Sequence, residues 1–189
     1  QTPLQPLDMA RRAVEIAQQH FDNINLDLMY GLPQQALAEA EQDVREALAY
    51  APQHLSCYHL TLEPNTLFHR HPPALPDEDA GSAMQQRIEE LLTGHGYQHY
   101  ETSAFAQPQK QSRHNLNYWQ FGDYLGIGAG AHSKLSFPGR VLRQARYKQP
   151  QSYLDAVARG LPVQAAHELG RGDLAFEFMM NALRLNKGF

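Results

Sequence analysis

The chain has 189 residues, enough for one domain or one large unit with an appendage, and its 42% apolar and 19% charged residues exclude a disordered chain. Sixteen Lys and Arg against twenty Asp and Glu leave a net charge of −4, which disfavours nucleic acid and anionic membranes as general partners. One cysteine, Cys57, permits no internal disulfide and cannot alone hold zinc or an iron–sulfur cluster, since those sites need three or four ligands.

In chain order, Gln1 to Ala10 has neither a basic start nor an apolar core of the signal type. No run approaches the roughly 20 apolar residues that span a bilayer, so the expected location is the cytoplasm, a reducing compartment. Asp8 is expected to cap a helix over Met9 to His20, with Ala10, Ala13, Val14 and Ala17 on one face. Asn23 to Met29 alternates with period two: Ile24, Leu26 and Leu28 go to one face, and Asn23, Asn25, Asp27 and Met29 to the other. Tyr30-Gly31-Leu32-Pro33 ends this strand. A helical stripe of Leu37, Ala40, Val44, Ala47 and Leu48 stops before Pro52, and a second strand runs from about His54 to Leu62.

Strand, helix, strand at this spacing is a right-handed βαβ unit of an α/β sheet or barrel. Helices then cover Ile24, Leu26 and Leu28, while Asn25 and Asp27 face the interior or mouth, where ligands bind. The proline-rich loop Glu63 to Pro76 shows no periodicity. Asp77 or Asp79 opens a helix that buries Met84, Ile88, Leu91 and Leu92 and stops at Gly94, and a short strand follows near Tyr97 to Glu101. The polar stretch Gln107 to Ser112 reads as a boundary, which divides the chain into residues 1–105 and 106–189. The second part carries RHNLNYWQFGDY, then LGIGAGAHSKLSF, a Pro138-Gly139 hairpin turn, and helices near Ser152 to Arg159 and Asp173 to Leu185. Beginning without Met ahead of one helix and stopping just after another, the chain reads as a fragment of a longer polypeptide.

Five segments bear on chemistry. Asp27 stands near the carboxyl end of a parallel strand, where a carboxylate accepts hydrogen bonds from ribose hydroxyls; the same side chain could instead anchor the Tyr30-Gly31 turn. Arg113 to Trp119 groups an imidazole, amides and two large aromatics within seven residues, a face suited to a flat conjugated ligand with His114 able to ligate iron. Read blandly, Tyr118 and Trp119 are core anchors and His114 a satisfied polar residue. Gly126 to His132 resembles a phosphate loop but lacks the third glycine at the dinucleotide spacing and a helix behind it; its glycines point instead to close backbone approach. His69-Arg70-His71 sits in a loop without a carboxylate at metal-binding spacing, and Cys57 reads as a small core residue.

Taken together, NINLDLMYGLP, HLSCYHLTLEPNTLF, GYQHYETSAFA, RHNLNYWQFGDYLGIGAGAHSK and FEFMMNALRL resemble the oxygen-independent coproporphyrinogen oxidase-like group of radical S-adenosylmethionine (SAM) proteins, nearest its heme chaperone branch. The resemblance implies the later strands of a partial (β/α) barrel followed by an incomplete α+β C-terminal region. It also implies a parent that carries a [4Fe–4S] cluster and SAM. The family's CxxxCxxC cluster motif does not occur in this sequence, so the fragment is not expected to bind the cluster.

By position, the resemblance places Asp27 on the SAM ribose, Met29 beside the adenine and Thr61 as a further SAM contact. The run His114 to Trp119 fits the HNxxYW pattern proposed for heme binding, so His114, Asn115, Tyr118 and Trp119 carry over, with His114 the candidate iron ligand. The implied function is delivery of heme to acceptor proteins, respiratory enzymes first among them, with the cluster and SAM supporting transfer or homodimer formation. The alternative from the same family is oxidative decarboxylation of porphyrinogen propionates, against which the RHNLNYW stretch argues.

Overall fold

The computed structural model describes residues 6–188; the first half of the Gln1 to Ala10 stretch and the final Phe189 lie outside the described residues. The chain divides between Ser112 and Arg113 into two compact units.

The first unit opens with helix α1 (Pro6–His20), which begins upstream of Asp8. The expected cap is therefore a first-turn carboxylate, 3.7 Å from Arg11, where it complements the helix dipole. Strand β1 (Asn25–Tyr30), helix α2 (Leu37–Ala49) and strand β2 (His54–His59) form the βαβ unit. The two strands pair in parallel from Asn25 against His54 to Tyr30 against His59. β2 ends earlier than the expected Leu62, and one further bond, from the Leu60 N–H to the Tyr30 carbonyl at 2.9 Å, closes the ladder.

The proline-rich loop contains one helical turn, α3 (Leu67–Arg70), where the Thr66 hydroxyl accepts from the His69 N–H at 3.2 Å. Helix α4 (Glu78–Gly94) starts at the expected cap, with the Asp77 carboxylate accepting from the Ala80 N–H at 2.8 Å. Strands β3 (Gln98–Glu101) and β4 (Ala104–Ala106) then form a tight hairpin. Sheet order is β1-β2-β4-β3, so the hairpin folds back to place β4, antiparallel, against β2.

The alternation of β1 decides where the core lies. Tyr30, Leu55, Cys57 and Phe105 of the sheet meet Ala40, Val44 and Ala47 of α2 and Met84, Ile88, Leu91 and Leu92 of α4, with Leu26 and Leu28 packed against them. One ion pair, from Arg87 of α4 to Glu41 of α2 at 2.7 Å, joins the outer surfaces of the two helices, and Arg45, one turn further along α2, pairs with the same carboxylate. The opposite face of β1 and β2 carries the polar side chains.

The second unit begins with helix α5 (Arg113–Trp119). Strands β5 (His132–Phe137) and β6 (Arg140–Arg146) are joined by the Pro138-Gly139 turn, and Gly139 has φ +77°, a value that only glycine adopts at little cost. Helix α6 (Pro150–Ala158), strand β7 (Val163–Glu168) and helix α7 (Arg171–Ala182) complete an antiparallel sheet of order β5-β6-β7. β7 is absent from the sequence reading. Among the described residues no helix is long and apolar enough to cross a membrane.

Candidate functional site

On the polar face of the first unit, strand pairing sets Asn25 beside His54, Asp27 beside Ser56 and Met29 beside Tyr58. Asp27 and Met29 point to this same face, as alternation requires, and both are exposed, Met29 at 47%. Among the described residues the Asp27 carboxylate accepts one side-chain hydrogen bond, from the Asn25 amide to Oδ1 at 2.8 Å. Its other oxygen remains open to a ligand hydroxyl. An exposed carboxylate beside an exposed thioether suits a nucleoside, with the acid for a sugar diol and the sulfur for a base face. Thr61 lies past the end of β2, exposed, and its hydroxyl donates to the His59 carbonyl at 3.3 Å.

Behind Asp27 lies a polar network that sequence reading missed. His54 is buried, with Nδ1 2.6 Å from Asn25 Oδ1 and Nε2 2.7 Å from the Tyr100 hydroxyl. The Ser56 hydroxyl donates to the same Asn25 oxygen at 3.1 Å, and the Ser112 N–H donates to the Tyr100 oxygen at 3.3 Å. Burial lowers the His54 pKa, opposed by the nearby Asp27 charge. Only the period-two pattern hinted at this network, since its members lie 29 and 46 residues apart.

Cys57 takes no part in this chemistry. It is buried on the core side, and burial, reinforced by the Asp27 charge, pushes its thiol up to about 12. Among the described residues no three His, Cys, Asp or Glu side chains group so as to hold a metal, the His69-Arg70-His71 segment included. A [4Fe–4S] cluster therefore does not fit the residues present.

In the second unit HNLNYW is helical, which turns a linear motif into two adjacent strips: His114 with Tyr118, and Asn115 with Trp119, each four apart. The His114 ring meets Tyr118 edge-on at 4.8 Å between centroids, and Tyr118 in turn meets Tyr124 at 4.6 Å. His114 is exposed, and no hydrogen bond to its ring nitrogens occurs among the described residues. The aromatic pair is more committed. Tyr118 is half-buried between two rings, and the Arg184 guanidinium lies 4.2 Å from the centre of the Trp119 ring. The Trp119 indole N–H is buried without a partner among the described residues. The arrangement leaves an exposed imidazole with Tyr118 packed edge-on against it.

After α5 the chain turns through a knot centred on Lys134, which is 2% exposed. Its ammonium donates to the Phe121 carbonyl at 2.8 Å, Asp123 Oδ1 at 2.9 Å and the Ser136 hydroxyl at 3.1 Å, using all three protons. Burial works to raise the Asp123 pKa, but bonds from Lys134, the Ser136 hydroxyl and the Ser136 N–H outweigh it and hold the carboxyl at about 2. The glycine segment is likewise occupied internally. The N–H groups of Gly126, Gly128 and Gly130 donate to Ser133 Oγ, the Tyr153 hydroxyl and the Tyr147 carbonyl, so they form no phosphate cradle. A Cβ at Gly126 would stand 2.1 Å from the His132 carbonyl oxygen, which is the close backbone approach that the glycine spacing implies.

No protein-family model matches the chain. It is 48% identical over 178 residues to the heme chaperone HemW of Escherichia coli, covering 93% of this chain and 46% of that protein. The HemW of Haemophilus influenzae gives the same identity, covering 93% of this chain and 45% of its own length. The chain thus spans about half the length of these relatives. In structure it is similar to the coproporphyrinogen III oxidase HemN of Escherichia coli, a radical SAM enzyme, with a TM-score of 0.77 and 20% identity over 97% of this chain and 45% of that one. This likeness shows that the mixed α/β architecture shares the fold of the matching part of that enzyme.

Proposed function

Because this chain belongs with the HemW heme chaperones along 93% of its length, we propose that the whole protein binds heme and passes it to heme-accepting proteins, respiratory enzymes first among them. One observation supports this above the others: an exposed imidazole, His114, whose ring nitrogens have no hydrogen-bond partner among the described residues and which Tyr118 meets edge-on. A neutral imidazole nitrogen donates its lone pair to heme iron. A solvent-facing ligand holds the cargo reversibly, as delivery demands. Tyr118 acts in this reading as a positioning residue rather than a stacking platform, while Asn115 and Trp119 form the neighbouring strip of the same helix.

Asp27, Met29 and Thr61 are proposed to hold SAM, the carboxylate accepting from the ribose and Met29 lying against the adenine. Bound there, SAM would supply an electrophilic sulfonium, with these residues holding its nucleoside end. The cluster's thiolates would come from elsewhere in the whole protein, since Cys57 is buried.

The test is a heme titration of the full-length protein and its His114→Ala variant, followed at the Soret band, with light scattering on the same samples to read oligomeric state. Wild type is expected to bind about one equivalent and the variant to bind about 10-fold more weakly, with a shifted band. Identical titrations would remove His114 from the heme site.

A further inference from the structure

The network behind Asp27 has a direction, and the direction carries the inference. A carboxylate only accepts, so the Asn25 atom 2.8 Å from Asp27 Oδ1 is the amide nitrogen. The Asn25 oxygen then faces Ser56 and His54, which fixes the proton of His54 on Nδ1 and leaves Nε2 to accept from the Tyr100 hydroxyl. The Tyr100 oxygen is itself held by the Ser112 N–H. Every donor thus points the same way, from Ser112 through Tyr100, His54 and Asn25 to Asp27.

We propose that this relay is a positioning device for the ligand carboxylate: Tyr100, His54 and Asn25 hold Asp27 with one lone pair of Oδ1 engaged, so that its remaining lone pairs receive the two hydroxyls of a vicinal diol. A structural brace alone would need only to tie β1, β2 and β3 together. This chain of bonds instead leaves the buried interior and terminates on an exposed anion. Burial lowers the His54 pKa and so favours the neutral imidazole, in keeping with a Tyr100 hydroxyl that donates to Nε2. Reversal of the amide would set its oxygen against the carboxylate, which the donors from Ser56 and His54 prevent.

The inference rests on the reading of Asp27 as a ribose ligand, and its test separates the two. In the full-length protein with its cluster reconstituted, calorimetry would measure the affinity for S-adenosylhomocysteine and for its 2′-deoxy counterpart, in wild type and in the His54→Leu, His54→Asn, Asn25→Ala and Asp27→Ala variants. His54→Leu and Asn25→Ala are expected to weaken the ribose ligand about 10-fold and the deoxy ligand less than about 2-fold. His54→Asn, whose amide nitrogen substitutes for Nδ1–H, is expected to restore most of the ribose affinity. Equal losses on both ligands from His54→Leu and Asn25→Ala would reduce the relay to a brace and overturn the proposal. If wild type and Asp27→Ala both bind the two ligands alike, the ribose assignment of Asp27 falls first. Should His54→Leu fail to fold, Asn25→Ala decides alone, because Asn25 is exposed.

Discussion

The two units solve the problem of burial differently. In the first, Leu55, Val44, Met84 and Leu92 are almost wholly buried between a sheet and two helices; among the described residues of the second, the largest fully buried side chain is Lys134, and the buried apolar residues are Ala156 and Ala182. Phe176 and Met180 of α7 stay at least 60% exposed. One unit is organised by a dry layer, which gains stability in proportion to area removed from water. The other is organised around a saturated charge, which specifies geometry more than it adds stability. The proposed ligand residues follow the same split. Asp27 and Met29 ride on a strand clamped by the dry layer, and His114 rides on a short helix that leads into the lysine knot.

The contrast can be broken most forcefully in the dry layer. Leu92→Ala is expected to cost about 3–4 kcal/mol through lost burial and a residual cavity, whereas Phe176→Ala should stay within about 0.5 kcal/mol; native-state hydrogen exchange reads each unit separately. Next comes the knot. Asp123→Ala strands a buried ammonium and should cost about 2 kcal/mol, less than a fully enclosed pair because water reaches the carboxylate, and adding Lys134→Met should recover much of the loss.

Acid sharpens the comparison by separating the units in pH. The lowered pKa of His54 means that the first unit is favoured while this imidazole is neutral, so its stability starts to decline as pH falls below about 6.5, the ordinary histidine value. Asp123, held at about 2, contributes fully above about pH 4, the ordinary carboxyl range, and loses that contribution as pH falls to about 2. Protection from exchange, taken relative to the intrinsic rate at each pH and followed from pH 7 to 2, should therefore fall first in β1 and β2, and later in β5. The smallest effect is that of His114→Ala on stability, within about 0.5 kcal/mol, so a change in its Soret band cannot be ascribed to unfolding.

Legibility from sequence tracked how local the deciding physics is. Alternation in β1, the stripes of α2 and α4, the Asp77 cap and the Pro138-Gly139 turn are set by neighbours a few residues apart, and all are present. β4 is three residues of Ala-Phe-Ala, too short to show a period, and it joins the sheet only because β2 offers an open edge. β7 is mostly exposed and so carries no apolar code. At the sites, the exposure of Asp27 and Met29 on one face was readable. The partners of Asp27 were not, because His54 and Tyr100 come from strands that only tertiary folding brings together.

That α5 is a helix also sets what evolution is free to do with HNLNYW. Each residue advances the helix by about 100°, so deleting Leu116 or Asn117 would swing Tyr118 away from His114 and leave the imidazole without its brace. Leu116 stands on the far side of the helix from the His114–Tyr118 strip, so its replacement leaves that pair in phase. The segment should therefore drift in letter at that position while its length stays fixed, a signature of helical phase rather than of chemistry.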